Sequence, residues 1–451
     1  MNYARASKVI GALYADPKFP LTPLRKVVQF AQYGISELAS TEATGLPIIR
    51  MNNLQADGWD FSDLKYIELS PNDAARYLLE PGDILFNRTN SKELVGKCEV
   101  FREEGAWVFA SYLIRVRVDT NAIVPDFVSL FLNTRAGRAQ IDRISRQIIG
   151  MSNVNAEELQ DMVIPLASID VQRTLVAGMQ AARETRDEKL GRADALLADL
   201  DAYLLDTLNI TLPAETSRAI FAIRLRQIEG ALNPERYAGL LLAKCIAGRR
   251  LNSVARILDA KISAAKVAPA EEWDRIRIDD LPNQPLDVET RRTSLGSELK
   301  EAYFEVHEND ILLARLGPTI QNTKFVLCPP LRRRTVASGE FLVLRCREGW
   351  NPVTVLAVLR TKLFRDIMYS KCRGGTPSRY RVNAEDLATL PFPNISAEVQ
   401  QQIADEVRQR REEARRLRTE AEAGWAVAKR QFEEQLLASA PEPIRTGKKS
   451  A

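Results

Sequence analysis

Polar side chains of the kinds that contact nucleic acid stand in two short segments of the first hundred residues, LPIIRMNNLQ and GDILFNRTNSKELVGK. Arginine can form paired hydrogen bonds with guanine, and asparagine or glutamine with adenine, whereas lysine, arginine and small hydroxyl residues hold phosphates. Both segments place such residues in polar loops beside short apolar strands. The predicted contacts in this half are Arg50, Asn52, Asn53, Gln55, Arg88, Asn90, Ser91 and Lys97.

A second set of basic residues follows beyond residue 310. The run Arg332–Arg334 is either a phosphate clamp or a solvated loop. The segment GGTPSRYR combines glycines, a hydroxyl and arginines beside Tyr380, which favours a loop that contacts the DNA backbone; the alternative is a structural turn. The predicted contacts in this half are Arg315, Lys324, Arg332, Arg333, Arg334, Arg373, Arg379 and Arg381.

Alternatives remain open in the first half as well. The NNLQ segment could be a solvated turn, Arg88 could pair with Asp83 or Glu93, and Lys97 could be an ordinary surface lysine.

The charge distribution separates the two halves. Residues 1–165 contain 18 basic and 20 acidic side chains, whereas residues 216–393 contain 29 and 20, an excess of nine positive charges. A basic domain favours a polyanionic partner, and the neutral one must use individually placed residues.

These candidate residues belong to a chain that is duplicated. VNAEELQDMVIPLASIDVQ begins at Val154, and VNAEDLATLPFPNISAEVQ begins at Val382, a shift of 228 residues. GDILFNRTN and NDILLARLG match at a shift of 227, which aligns Asp83 with Asp310. A repeat of this length is too long for a solenoid unit and indicates a duplicated half-molecule.

A long helix follows each copy of the repeated segment. Apolar residues recur at intervals of three and four from Leu175 to Leu208 and from Ile403 to Leu436, which predicts two paired helices with a coiled-coil seam. The predicted fold is therefore α+β, with two small globular α/β domains joined by two long helices. The predicted boundaries are a first domain at 1–165, a first helix at 166–215, a second domain at 216–393, a second helix at 394–437 and a disordered tail at 438–451.

A short amphipathic helix is predicted over PDFVSLFLNTRAG, from Pro125 to Gly137, with a counterpart at 351–363.

Enzymatic signatures are missing from the sequence: it has no GxxxxGK[ST] loop, no GxSxG, and no Asn/Asp-Pro-Pro-aromatic tetrapeptide. The single histidine, His307, is predicted to be an ordinary surface residue, and five cysteines without a CxxC pair indicate reduced thiols. No catalytic, cofactor or metal residue is predicted. No apolar run is long enough to span a membrane.

The order of LPIIRMNNLQ, GDILFNRTNSKELVGK, FASYLIRVRV and GMSNVNAEELQDMVIPL, followed by a long helix and a second such half, resembles the specificity subunit of type I restriction–modification enzymes. The resemblance extends from residue 1 to about residue 437. The chain departs from the family pattern in lacking a second proline in VIPLASIDVQ, a glycine before Asp310, and an RMxN segment near residue 275.

The resemblance implies two target recognition domains that each read one half of a split DNA site, with helices of opposite direction fixing the gap. It implies a non-catalytic, cytoplasmic subunit. The implied partners are double-stranded DNA, two modification subunits that bind S-adenosylmethionine and methylate adenine, and restriction subunits that use ATP and Mg²⁺. The alternative is a cytosolic coiled-coil scaffold that binds protein or RNA. A DNA reader is expected to bind duplex DNA with a steep salt dependence, and a scaffold is not.

Overall fold

The computed structural model describes residues 17–55, 57–91, 94–148, 151–213, 234–259, 261–262, 267–282, 288, 292–299, 303–376 and 379–437. The predicted disordered tail, 438–451, lies outside the described residues. The chain divides into two compact units: unit 1 is Met1–Lys189 with Thr419–Ala451, and unit 2 is Leu190–Arg418. The globular parts are called head 1 (residues 17–165) and head 2 (residues 234–393).

Head 1 is built from short strands and four helices. Its strands are β1 (Leu21–Pro23), β2 (Val28–Tyr33), β3 (Leu46–Ile49), β4 (Leu54–Gln55), β5 (Gly58–Trp59), β6 (Lys65–Ile67), β7 (Ile84–Asn87), β8 (Thr89–Asn90), β9 (Cys98–Val100), β10 (Val108–Phe109), β11 (Leu113–Val118), β12 (Arg146–Ile148), β13 (Met151–Asn153) and β14 (Val163–Pro165). Its helices are α1 (Pro71–Tyr77), α2 (Pro125–Leu132), α3 (Arg135–Ile144) and α4 (Ala156–Gln160).

The main sheet of head 1 has the strand order β2-β11-β7-β9, and each pair of adjacent strands in it is antiparallel. Its β-branched and aromatic residues suit a pleated surface that is covered on both sides, and β7 and β9 are buried throughout. One face packs on α2 through Phe86 and Phe127, both fully buried. A smaller sheet, β10-β3-β6, lies beside it with its own apolar cluster.

Head 2 repeats this plan. Its strands are β15 (Gly248–Arg250), β16 (Ala255–Ile257), β17 (Glu272–Ile276), β18 (Arg292–Leu295), β19 (Tyr303–Val306), β20 (Ile311–Ala314), β21 (Phe325–Leu327), β22 (Thr335–Ser338), β23 (Phe341–Cys346) and β24 (Pro391–Pro393). Eight of these strands form two four-stranded sheets, with the strand orders β16-β23-β20-β21 and β18-β17-β22-β19, and β15 pairs with β24. The helices of unit 2 outside the long pair are α6 (Pro234–Ala243), α7 (Gly317–Gln321), α8 (Pro352–Arg360), α9 (Lys362–Ser370) and α10 (Ala384–Ala388).

A buried ion pair appears at the same place in both heads and bears out the duplication. Asp83 is 1% exposed and accepts hydrogen bonds from Arg117 Nε (2.7 Å) and from its terminal nitrogen (2.8 Å). Asp310 is also 1% exposed and accepts the same two bonds from Arg345, both at 2.8 Å. These pairs raise the pKa of each arginine, chiefly through the hydrogen bonds to the carboxylate.

The prediction of one helix from Pro125 to Gly137 was wrong, because the structure has two helices there. The first ends at Leu132, and Thr134 caps the second by accepting a hydrogen bond from the Gly137 N–H (3.2 Å). The counterpart region breaks in the same way at Thr361, which caps α9. A threonine hydroxyl at such a position satisfies an N–H that a helix start leaves unpaired, so it favours a new helix over continuation.

Two long helices complete the fold, α5 (Ile169–Thr207) and α11 (Ala397–Leu436). In unit 1, Arg186 lies over Trp425 (5.0 Å) and Lys189 pairs with Glu420 (2.9 Å). Later residues of α5 therefore contact earlier residues of α11. The second unit shows the same order, with Asp194 bonded to Arg418 and Tyr203 under Arg410. The helices therefore run antiparallel, and the predicted fold class is confirmed.

The seam between α5 and α11 contains buried apolar residues in each unit, such as Met179 and Trp425 in unit 1. Ala193, Ala414 and Leu417 form a buried cluster in unit 2. The predicted helix ranges 166–215 and 394–437 enclose the observed helices. The two compact units, however, cut each helix in the middle, because each helix segment packs with its antiparallel neighbour. No helix in the described part of the chain is long and apolar enough to cross a membrane.

Candidate nucleic-acid interface

A small polar sheet, here called arm 1, is formed in head 1 by β8, β12 and β13. Its strand order is β12-β13-β8. The register pairs Gln147 with Ser152 and Ser152 with Asn90. The sheet therefore brings the predicted residue Asn90 to the hairpin that precedes the repeated VNAEELQ segment.

Arg88 stands at the base of arm 1. Its main chain is fixed by two contacts: its N–H donates to Tyr112 O (3.0 Å), and its carbonyl accepts from the Val154 N–H (2.9 Å). Its side-chain Nε donates to Val154 O (3.4 Å). Its guanidinium lies over the ring of Tyr33 at 4.7 Å. Asp83, the carboxylate considered as its alternative partner, is bound by Arg117 instead. Glu93 lies outside the described residues.

Two exposed tyrosines flank Arg88, and neither was predicted as a site residue. Tyr33 is 41% exposed, and its hydroxyl accepts a hydrogen bond from the Ala156 N–H (2.9 Å). Tyr112 is 49% exposed. Exposed aromatic rings can stack on bases or sugars, and a neighbouring arginine can pair with a phosphate.

Unit 2 has two isolated β-bridges, here called arm 2, at the equivalent positions, shifted by 227 or 228 residues. Bridges join Leu316 to Arg381 and Arg373 to Arg381. The Val382 N–H donates to Arg315 O (3.0 Å), as the Val154 N–H donates to Arg88 O in arm 1. Four predicted residues, Arg315, Arg373, Arg379 and Arg381, thus converge around one turn.

The arginines of arm 2 differ in their partners. Arg381 forms two bonds with Glu340 (3.1 and 3.4 Å), and Arg373 pairs with Asp386 (3.4 Å). Arg379 is exposed, and Arg315 Nε has no hydrogen-bond partner among the described residues. Glu340 occupies the position that corresponds to Tyr112 in arm 1. The two arms therefore present different chemistry on the same backbone plan.

The NNLQ segment forms a tight turn, and the structure assigns Asn53 to the framework of that turn. Asn53 is 1% exposed. Its Oδ1 accepts from the Arg50 N–H (2.9 Å), and its Nδ2 donates to the carbonyls of Asp60 and Asp63. Because both polar atoms of its side chain are used internally, Asn53 stabilises the turn and has no side-chain atom exposed for a DNA contact.

The other residues of this turn remain at the surface. Arg50 is held by Asp63, whose carboxylate lies 2.8 Å from the guanidinium. Asn52 and Gln55 are exposed, and Gln55 Nε2 donates to Asn52 O (2.8 Å). The hairpin beyond them is anchored to the long helices of unit 1, where Asp57 lies 3.6 Å from Arg186 and 3.7 Å from Lys429.

The Arg332–Arg334 run does not form an open clamp. Arg334 lies 4.1 Å over the ring of Trp273 and is bonded to Glu305 (2.8 and 3.0 Å). The hydrogen bonds that Arg334 donates to Glu305 are the main reason why the pKa of Arg334 is raised. Arg333 pairs with Glu272 and lies 3.7 Å from Asp274. Only Arg332 is exposed without such a carboxylate partner among the described residues.

The remaining predicted residues have the following positions. Lys97 is half-buried, and its carbonyl accepts from the Asn87 N–H (2.8 Å); Lys324 repeats this role, and its Nζ also lies 3.4 Å from Ile278 O. Ser91 is half-buried beside β8. His307 is exposed, as predicted. All five cysteines are free thiols, and burial raises the pKa of Cys98, Cys346 and Cys372 to about 12.

Sequence reasoning missed the hairpin β12–β13 as part of the first site. The signal was available, because Arg373 and Arg381 correspond to Arg146 and Asn153 at the repeat shift. No group of histidine, cysteine or carboxylate ligands suited to a metal ion occurs in the described residues. The arms together offer arginine, amide, hydroxyl and aromatic groups, which is the chemistry of a binding surface.

Comparison with known proteins supports the resemblance seen in the motifs. No family model matches the chain. A stretch of 178 residues is 24% identical to the specificity subunit of the type I restriction enzyme EcoKI of Escherichia coli (strain K12), covering 38% of each chain. A stretch of 154 residues is 25% identical to the putative type I restriction enzyme MjaX specificity subunit of Methanocaldococcus jannaschii, covering 34% of this chain and 36% of that one.

A solved structure shows the fold over nearly the whole length. Its chain comes from work on complex assembly and conformational transition of the type I R-M system, and it is covered to 99% by 94% of this chain, at a TM-score of 0.50 and 14% identity. The sequence matches to both curated relatives span less than two-fifths of their lengths. The predicted similarity to type I specificity subunits is confirmed.

Proposed function

We propose that this chain recognises a bipartite DNA sequence and directs partner subunits of a type I restriction–modification system to it. The observation that carries the proposal is the pair of equivalent arms, each at the same place in a duplicated head. A duplicated binding surface is what a split site requires. The similarity to specificity subunits supports the same reading.

The two arms are proposed to read different half-sites. In arm 1 the contacting groups are Arg88, Asn90 and the tyrosines beside them. Arm 2 uses Arg315, Arg379 and Arg381, and its Glu340 holds Arg381 in a fixed orientation. Arg381 would have to exchange these bonds for contacts with DNA, whereas Arg379 is exposed. Because the equivalent positions carry different side chains, the same base pattern would not suit both arms.

The chemistry that follows recognition is proposed to belong to partner subunits. Two modification subunits would supply S-adenosylmethionine and methylate adenine, and restriction subunits would supply ATP-dependent chemistry with Mg²⁺. This chain would contribute binding and position without a catalytic group. Its helices α5 and α11 are proposed to set the number of unread base pairs between the half-sites.

Methylation mapping tests the proposal directly. The chain is co-expressed with its modification partner, and methylated adenines are located by sequencing. A single bipartite motif, lost when the chain is omitted, is the expected result. Purified complex should also bind a duplex carrying the motif with an affinity that falls steeply as salt rises. Methylation that is independent of the chain, or salt-insensitive binding, would support the scaffold alternative instead.

A further inference from the structure

The two units contain the same crevice, between one long-helix pair and the helix that covers the main sheet, but only one is open. The crevice of unit 1 has a volume of about 10 Å³, and that of unit 2 about 590 Å³. Two substitutions between the copies widen the crevice of unit 2, which also extends further along α5 to Asp194 and Leu197. Leu130 corresponds to Ala357, and Met179 corresponds to Val407, so both side chains that fill the crevice of unit 1 are smaller in unit 2.

The charge of the crevice changes together with its size. In unit 1, Arg183 on α5 is bonded to Glu99 on β9 at 2.9 Å. The corresponding arginine of unit 2 is Arg411. Strand registers pair Leu85 with Glu99 and Leu312 with Val326, so Val326, which is fully buried, stands where the carboxylate would be. Unit 2 has therefore kept the helix arginine and lost this carboxylate.

Two further exchanges make unit 2 more basic. Asn133 of unit 1 donates to Cys98 O (3.0 Å), and the equivalent Arg360 donates to Phe325 O (2.6 Å). Asp126, which lines the crevice of unit 1, corresponds to Val353. Relative to unit 1, these positions together remove two negative charges and add one positive charge.

The open cleft of unit 2 is lined by four arginines and two aspartates, a net charge of +2: Arg360, Arg365, Arg411, Arg418, Asp194 and Asp201. The aspartates are already engaged. Asp194 is bonded to Arg418 at 2.7 Å, and Asp201 accepts the Lys362 N–H at 2.7 Å. Burial lowers the pKa of Arg360 to about 9, repulsion from Arg411 and Arg365 adds to the effect, and attraction to Asp201 offsets part of it; burial also lowers the pKa of Arg411. An anion would relieve this repulsion.

We propose that this cleft binds a small phosphate-bearing molecule with an apolar part, about the size of a nucleoside monophosphate. Guanidinium groups suit phosphate because they offer paired donors to its oxygens. The volume lies within the usual range of about 300–1,000 Å³ for small-molecule sites, so more than a bare anion fits. Leu200, Leu204 and Leu356 also line the cleft and supply apolar surface. The proposal does not depend on DNA recognition by the arms.

Calorimetry on the full-length chain tests the site with three probes: adenosine 5′-monophosphate, inorganic phosphate and adenosine. The monophosphate is expected to bind at one site per chain, inorganic phosphate more weakly, and adenosine not detectably. Sodium chloride titrated at the same ionic strength should give no saturable binding heat. Absence of saturable binding of the monophosphate at millimolar concentration would overturn the proposal.

Variants locate the binding. The double substitution Ala357→Leu with Val407→Met copies the filled crevice of unit 1 without changing any charge, and it is expected to weaken binding at least tenfold. Arg411→Gln should also weaken binding of the monophosphate at least tenfold, because it removes a positive charge. If the double variant fails to fold, this single variant tests the site. Arg381→Gln, in arm 2, is the matched control and should bind normally. Normal binding by both cleft variants, or loss in Arg381→Gln alone, would place the phosphate elsewhere and refute the site.

Discussion

Arg88 and Arg334 show that similar arginines serve different ends in this protein. Arg334 is exposed in part, yet its donors are directed at Glu305 and its plane is stacked on Trp273. Arg88 has no carboxylate partner among the described residues and is positioned by main-chain contacts and by Tyr33. A guanidinium whose donors are already directed at carboxylates must break those bonds before it can bind DNA. Arg88 is therefore the better candidate for a DNA contact.

Arg88→Gln is expected to lower the affinity of the complex for its duplex by about ten- to a hundredfold, a loss of about 1–3 kcal/mol. Arg102→Gln is the matched control, because Arg102 is also an arginine of head 1 but pairs with Asp126 away from arm 1. Fluorescence anisotropy with duplexes altered in one half-site measures the effect. If Arg88 contacts a base, the variant also loses discrimination at that base. Equal affinity for wild type and variant would exclude Arg88 from the interface.

Removing the buried carboxylate of either head should destabilise that head strongly. Asp83→Ala leaves Arg117 and the nearby Arg115 without their shared buried partner, and a loss of about 3–5 kcal/mol in the free energy of unfolding is expected. Asp310→Ala should behave in the same way for Arg345. Urea denaturation followed by circular dichroism measures both. The exposed ion pair of Asp170 with Arg173 provides a control, since Asp170→Ala should cost less than about 1 kcal/mol.

At the scale of elements, a glutamine fixes the start of each long helix to its head. Gln172 is fully buried; its Oε1 accepts the Val124 N–H (2.8 Å), and its Nε2 donates to Ala167 O (2.8 Å). Gln400 repeats this arrangement with Asn351 N–H (2.8 Å) and Ile395 O (3.1 Å). One amide therefore satisfies main-chain groups at the start of a head helix and just before a long helix.

Gln172→Leu should lower the stability of unit 1 because it leaves the Val124 N–H and the Ala167 carbonyl buried without their partner. Each such group costs about 1–3 kcal/mol. Gln180→Leu, on the same helix but exposed, is expected to change stability by less than about 0.5 kcal/mol. Thermal unfolding of the two variants compares them. A Gln172→Leu protein as stable as wild type would show that water replaces the amide.

At the scale of the whole molecule, the antiparallel order of α5 and α11 means that neither helix can be lengthened alone without disrupting the seam. Lys189 faces Glu420 in unit 1, and Asp194 faces Arg418 in unit 2. A change in length must therefore be made in both helices to preserve the pairing on either side. This requirement shapes the test of the proposed role of the helices in setting the gap.

Inserting four residues after Lys189 and four after Arg418 adds about one turn, roughly 5.4 Å, to both helices. Because base pairs are spaced about 3.4 Å apart, the unread gap of the methylated motif is expected to lengthen by one or two base pairs. Both half-sites should stay unchanged. Methylation mapping reads the motif, and the single insertion after Lys189 serves as the comparison. An unaltered gap in an active complex with both insertions would contradict the proposal.

The sequence by itself determined the duplication, the two long helices and the kind of residues that form the arms. These features are local: a helix repeats every three to four residues, and a copied segment keeps its spacing wherever it folds. The structure added the antiparallel direction that the resemblance had implied. It did so through contacts such as Asp194 with Arg418, whose partners are far apart in the chain.

Only the tertiary structure decided which polar side chains are already engaged. The local sequence does not distinguish Asn53 or Arg334 from exposed polar residues. The fold brings main-chain carbonyls to Asn53 and the carboxylate of Glu305 to Arg334. The cleft of unit 2 was likewise invisible in the sequence, because the exchange of Glu99 for Val326 matters only where β21 meets α11. Partners separated by tens to hundreds of residues are selected by packing, and packing is not a property of any local pattern.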